Sequence, residues 1–183
     1  MTFDNNKKII LSKPDYSKKG SIDKRIKKLC DILNKHSNYF TLSSCSGRTM
    51  LIRLRNGQKK GSEWLAVTHE KAKFEDFKNA LDKNREGVVI FKHEPVIIHI
   101  CAWTIELGQK LVDDARNNGF KKASLIATKN KVVVEIVGSE CLFAPVFDKK
   151  RLVSDEYLNY LIKSANKKIK VSWKLIKTLE KLF

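Results

Sequence analysis

The sequence predicts an α/β protein, α+β in arrangement, with a non-Rossmann mixed sheet, flanking helices and a long C-terminal helix. Three observations predict it. Short β-branched runs bounded by Gly, Pro and Asn alternate with longer stretches whose apolar residues recur at helical spacing. No G-x-G-x-x-G follows a first strand, so the glycine fingerprint of the dinucleotide-type fold is missing. Residues 154–183 carry one helical pattern with neither Gly nor Pro.

Residues 1–20 are polar and basic, broken by Pro14 and Gly20, and read as a basic arm. Ser21 reads as the N-cap of a helix in which Ile22, Ile26, Leu29, Cys30 and Leu33 share a face. Tyr39–Ser44 and Met50–Arg55 read as strands bounded by Gly47 and Asn56-Gly57, and Glu63–His69 as a third. Phe74, Phe77 and Leu81 mark a helix that ends before Gly87. Val88–Lys92 and Val96–Ala102, separated by Pro95, are apolar on both faces and read as strands of a doubly covered sheet. A helix from Thr104 buries Leu107, Leu111, Val112 and Ala115 and stops at Gly119. Three strands follow, Ala123–Thr128, Val132–Val137 and Cys141–Phe147, before the terminal helix at Ser154. The order reads as a loose αβββα duplication around a central ββ pair. No linker interrupts it, so residues 1–183 read as a single domain with a basic N-terminal arm (1–20) and a basic C-terminal helix (154–183).

At 183 residues the chain is long enough to bury a core without disulfides or structural metal. Lys and Arg number 37 against 20 Asp and Glu, a net charge of +17. That imbalance costs self-repulsion, which a polyanionic partner relieves. Cys30, Cys45, Cys101 and Cys141 form no CxxC pair, and His36, His69, His93 and His99 form no HExxH group, so no metal site is expected. Met1–Asp15 lacks a signal-peptide pattern, and no apolar run reaches the roughly 20 residues of a membrane helix. The expected compartment is the cytoplasm, with thiols reduced.

The terminal helix places Lys163, Lys167, Lys170, Lys174, Lys177 and Lys181 on one stripe, and Leu158, Ile162, Ala165, Ile169, Ile176 and Leu179 on another. One face docks on the protein. The other presents a ladder of positive charge suited to phosphates, or simply a solvated face. Lys18, Lys19, Lys24, Arg25, Lys27 and Lys28 form a second basic cluster around the first helix. Tyr16 lies in the arm, where it could stack on a base, whereas Trp64, Trp103 and Trp173 sit in apolar patterns typical of core.

The segment Thr41-Leu-Ser-Ser-Cys-Ser-Gly-Arg48 is rich in small donors. Gly47 allows close backbone approach to a ligand, and Arg48 offers a planar fork for a carboxylate or phosphate. A polar hairpin turn is the plainer alternative. Cys45 has no base beside it in sequence, which favours a packing role over a nucleophilic one. Asp23 opens a helix, where dipole compensation is its ordinary role. His99 lies mid-strand, where a satisfied core histidine is usual.

These residues resemble the tRNA wybutosine-synthesising protein 3 family. Asp15-Tyr-Ser-Lys-Lys-Gly-Ser-Ile-Asp23 looks like its S-x-K-G-S-x-D signature, and Thr41–Arg48 like its S-x-S-S-C-x-G-R motif. Trp64-Leu-Ala-Val-Thr-His69 matches W-x-x-x-x-H, and Phe91-Lys-His-Glu-Pro-Val-Ile-Ile-His99 matches K-x-E-P-x-x-x-H. Gly119-Phe120, Ser124, Glu156-Tyr157 and Ala165-Asn166 fit later positions. Thr41 stands where the motif has Ser, and Thr49-Met50 replaces a glycine pair after the arginine.

The resemblance implies a methyltransferase domain that uses S-adenosylmethionine. Its substrate would be the anticodon stem-loop of tRNA-Phe, methylated on the N4 ring nitrogen of a tricyclic guanosine derivative. It implies Asp23 and His99 as catalytic residues, with His69 a weaker candidate for the base. Ser43, Ser44, Cys45, Gly47 and Arg48 would serve the cofactor. Lys19, Ser21, His69, Lys163, Lys167, Lys170 and Lys174 would serve the substrate. Two other readings compete: a non-catalytic RNA-binding module, and a metabolic enzyme with Cys45 as nucleophile.

Overall fold

The computed structural model describes residues 2–14, 20–55 and 58–183. Its contacts divide the chain into two compact units. Unit 1 comprises Met1–Ser46, Val96–Ser139 and Ser172–Phe183; unit 2 comprises Gly47–Pro95 and Glu140–Val171. The element order is α1 (Phe3–Leu11), α2 (Lys24–Lys35), β1 (Tyr39–Cys45), β2 (Arg48–Arg55), β3 (Gln58–Thr68), α3 (Phe74–Lys83), β4 (Val88–Glu94), β5 (Ile97–Ala102), α4 (Ile105–Asn117), β6 (Lys122–Ala127), β7 (Val132–Val137), β8 (Leu142–Asp148), β9 (Lys150–Arg151) and α5 (Asp155–Leu179). The αβββα–ββ–αβββα order therefore holds from α2 onward, with α1 preceding it and β9 inserted before α5.

The mixed sheet resolves into two sheets, both antiparallel among the described residues. Unit 1 holds β1-β5-β7-β6 and unit 2 holds β3-β2-β4-β8-β9. The first βββ run gives one strand to unit 1 and two to unit 2; the second gives β6 and β7 to unit 1 and β8 to unit 2. The repeat in element order is thus not a repeat in sheet topology. The adjacent strands β4 and β5 also belong to different sheets rather than to one doubly covered sheet.

In unit 1, α2 forms because Ile26, Leu29, Cys30 and Leu33 recur at i, i+3, i+4 and i+7, and all four are buried. Its N-cap is Asp23 rather than Ser21. The buried stripe begins at Ile26, while Ile22 is 42% exposed, so nothing draws an earlier turn into the helix. The core gathers these residues with Ile98 and Ile100 of β5, Val134 and Ile136 of β7, Leu111, Val112 and Ala115 of α4, and Ile176 and Leu179 of α5.

Thr104 caps α4 by accepting from the Leu107 amide at 3.2 Å. Gly108 lets that helix ride close on the sheet: a Cβ there would lie 2.7 Å from Val132 and 2.8 Å from Leu125. The N-terminal arm contains a helix, α1, with no fully buried residue. Its weak apolar pattern hid it; Phe3 anchors it against Phe40 at 5.2 Å and Trp103 at 6.1 Å between ring centroids. Trp103 is 60% exposed and so is not a core residue as its pattern suggested.

In unit 2, Leu51, Val89, Phe91, Val146 and Phe147 share a cluster with Phe77 and Leu81 of α3 and with Leu158, Leu161, Ile162 and Ala165 of α5. The opposite face of the sheet carries a smaller cluster of Met50, Ile52 and Ile90. Ser154 caps α5 through the Tyr157 amide at 3.1 Å, and Asp155 and Glu156 complement the helix dipole in its first turn.

His93 is fully buried in unit 2, with Nδ1 3.0 Å from Thr49 Oγ1 and no partner for Nε2 among the described residues. Burial pushes its pKa down to about 4, helped by the Lys168 ammonium and opposed by Glu140 and Glu94. The folded protein thus holds His93 neutral where the unfolded chain would protonate it. Its stabilising effect is complete above about 6.5 and is lost as pH falls towards about 4. Over that window the unfolding free energy is expected to fall by up to about 3 kcal/mol. Denaturant unfolding at a series of pH values measures this; equal pH slopes for the wild type and His93→Gln would exonerate the imidazole.

Candidate active site

The densest polar geometry lies on the outer face of the unit 1 sheet. Thr41 pairs with Ile100 and Ser43 with His99, so Leu42 is an extra residue, a β-bulge. The bulge changes the alternation of β1. Thr41, before it, turns inward and hydrogen-bonds Asn34 Oδ1 of α2 through its amide and hydroxyl at 2.8 and 3.0 Å. Ser43, after it, turns outward beside His99, and Ser44 turns inward, where Cys30 Sγ donates to its hydroxyl at 3.4 Å.

The register then carries one polar row across all four strands: Ser43 on β1, His99 on β5, Glu135 on β7 and Ser124 on β6. Ser43 Oγ lies 2.8 Å from His99 Nδ1, and His99 Nε2 lies 2.7 Å from Glu135 Oε2. The imidazole and carboxylate side chains are 27% and 32% exposed, so His99 is not a core histidine. The row sets a hydroxyl, an imidazole and a carboxylate side by side on a partly exposed surface.

Asp23 sits at the other end of the serine motif. It is 6% exposed, and its Oδ2 accepts from the Ser46 amide at 3.0 Å and the Ser46 hydroxyl at 3.2 Å. Its side chain makes no capping bond to α2. Asp23 therefore fixes the residue that follows β1. Cys45, half-buried, lies opposite Ile97 in the register. Burial raises the pKa of the Cys30 thiol, which stays a neutral packing group behind Ser44.

In unit 2, Gly47 has φ +97, a left-handed conformation that an L side chain resists, and it is buried. His69 Nδ1 lies 3.1 Å from the Gly47 carbonyl oxygen. The Arg48 fork is engaged: Nε and Nη2 both lie 2.7 Å from Glu94 Oε2, with the guanidinium 5.0 Å above the Trp64 ring. Lys92 holds the other Glu94 oxygen at 2.5 Å. Burial alone would raise the Glu94 pKa, but these two cations outweigh it and hold the group below its ordinary value.

Lys163, Lys167 and Lys170 in unit 2, and Lys174 and Lys177 in unit 1, are all exposed. Among the described residues the first four form no ion pair, while Lys177 meets Glu180 at 3.2 Å. Ser21 is exposed; Tyr16, Lys18 and Lys19 lie outside the described residues. Sequence reasoning missed Glu135, Glu94 and Ser46 as site residues. Glu135 left a signal, being the one charged side chain in the run VVVEIV of β7. Glu94 and Ser46 each lay inside a motif read from the sequence, but their roles stayed hidden because each acts through a partner distant in sequence, Arg48 and Asp23.

Residues 5–183 match the family model described as Methyltransferase TYW3. A Danio rerio protein named tRNA wybutosine-synthesizing protein 3 homolog is 35% identical over 181 residues, covering 96% of this chain and 72% of its own. A Pyrococcus abyssi protein named tRNA(Phe) 7-((3-amino-3-carboxypropyl)-4-demethylwyosine(37)-N(4))-methyltransferase 2 is 34% identical over 155 residues, covering 84% of this chain and 75% of its own. Among solved structures, the PH1069 protein from Pyrococcus horikoshii superposes with a TM-score of 0.90 at 31% identity, covering 99% of this chain and 95% of that one.

Proposed function

The chain belongs to the methyltransferase TYW3 family, and from that membership we infer that it methylates the N4 ring nitrogen of a 4-demethylwyosine-type base at position 37 of tRNA-Phe. The observation that carries the reading to particular residues is the Ser43–His99 pair at 2.8 Å on an open sheet face. A hydroxyl backed by an imidazole suits removal of a proton from a ring nitrogen.

The methyl donor is S-adenosylmethionine, whose sulfonium supplies an already activated methyl group. The residues present fit such a group without a glycine-rich parallel-sheet cradle, which two antiparallel sheets cannot offer. Ser43 and the backbone around Ser46, fixed by Asp23, supply hydroxyl and amide partners for an amino acid or a ribose. Ser44 supports that stretch from behind through Cys30. Cys45, Gly47 and Arg48 complete the proposed cofactor segment, with Arg48 held in place by Glu94 and Trp64.

His99 is the general base, and Asp23 holds the motif in shape. The base lies in a single-stranded loop of the tRNA, so splaying it outward costs little. Lys163, Lys167, Lys170 and Lys174 span about 16 Å of helix and face solvent, which suits them to successive phosphates of the anticodon stem. Lys19, Ser21 and His69 complete the proposed substrate contacts. Among the described residues no helix is long and apolar enough to cross a membrane. All four cysteines are free thiols, consistent with a cytoplasmic, reducing setting.

The test is incubation of the purified chain with S-adenosylmethionine and tRNA-Phe carrying the 4-demethylated tricycle, read by nucleoside mass spectrometry. One added methyl on the tricycle, with none on tRNA bearing plain guanosine at that position, is the expected result. Salt-sensitive tRNA binding without turnover would instead establish a binding module.

A further inference from the structure

Glu135 stands outside every motif that marks the site, yet it makes one of the shortest contacts in it. We propose that Glu135 is a positioning residue for methyl transfer: it fixes the tautomer of His99 so that Ser43, not the imidazole itself, meets the substrate proton. The inference rests on the reading of His99 as the base.

An ionised carboxylate only accepts hydrogen bonds, and a neutral imidazole carries one donor nitrogen and one acceptor nitrogen. Glu135 Oε2 lies 2.7 Å from His99 Nε2, so Nε2 carries the hydrogen. Nδ1 is then the acceptor, and the Ser43 hydroxyl 2.8 Å away must be the donor. The Ser43 oxygen keeps its lone pairs for an incoming N–H. As the ring nitrogen takes the methyl group, the S–CH3 bonding pair would stay on the donor's sulfur, the N–H bonding pair would stay on nitrogen, and the proton would pass to Ser43 Oγ. The Ser43 proton passes to Nδ1, and the resulting imidazolium faces the Glu135 charge until it releases the proton to solvent. The pair is 27% and 32% exposed. An ion pair so exposed adds little to stability, so stability is not its main effect. What the contact does determine is which nitrogen bears the proton.

Glu135→Gln tests this, because an amide can donate to Nε2 and so favour the opposite tautomer. The expected result is a kcat lower by about 10²-fold or more, with the KM for tRNA and for S-adenosylmethionine changed by less than about twofold. The imidazole nitrogen-15 shifts of His99 should move from the Nε2–H tautomer towards the Nδ1–H form, and Glu135→Asp should recover part of the rate. A Glu135→Gln enzyme with kcat within about twofold of wild type, beside an inactive His99→Ala, would overturn the inference and leave the general base standing. A fully active His99→Ala would overturn both.

Discussion

Replacing His99 by alanine is expected to lower kcat by about 10²- to 10⁴-fold, the usual worth of a positioned general base. The loss should fall on turnover rather than on binding. His99 touches Ser43 and Glu135 on an open face, not a phosphate ladder or the buried core of unit 1. Affinity for tRNA and its salt dependence should therefore be preserved, and the thermal midpoint should move little, since surface changes of this kind shift stability by about 0.5 kcal/mol or less. Single-turnover methyl transfer with saturating tRNA and donor separates the two quantities. A variant that loses affinity in proportion to rate would make His99 a binding residue instead.

Asp23→Ala carries the second large effect, and by a different route. Ser46 is fully buried, and its amide and hydroxyl both donate to Asp23 Oδ2. Truncation leaves two buried donors without that acceptor, at a cost of about 1–3 kcal/mol each when no other partner replaces it. The turn after β1 is expected to loosen, and with it the proposed cofactor contacts. KM for S-adenosylmethionine should rise by roughly tenfold or more while tRNA affinity stays near wild type. Calorimetric titration with S-adenosylmethionine, alongside denaturant unfolding, reads both consequences. Unchanged donor affinity with lowered stability would confine Asp23 to the fold.

Much of the fold was legible because periodicity is a local signal. The stripe Ile26–Leu29–Cys30–Leu33 and the helix start at Thr104 appear in the sequence as they appear in space. Sheet membership was not legible. Pro95 and Val96 between β4 and β5, and Ser46 and Gly47 between β1 and β2, look like hairpin turns, yet each pair of strands divides between two sheets. Pairing is decided by long-range packing that no short window contains. The same limit applies to the site. The serine motif named its own residues, but Ser43 meets His99 across 56 positions of chain and His99 meets Glu135 across 36. Asp23 was legible as a residue of the site and not as the anchor of Ser46, because a helix-opening carboxylate has a simpler use in the dipole.

The Leu42 bulge means that β1 is read in two phases. Counted by twos from Phe40, the strand would set Leu42 beside the imidazole and turn Ser43 into the core against Ile98. The extra residue resets the count, so the hydroxyl that chemistry needs and the one that packing needs are neighbours in sequence on opposite faces. A slip of the bulge by a few positions towards Cys45 would exchange their fates without altering a single side chain. The proposed proton path would thus be encoded partly in residue identity and partly in where the strand miscounts.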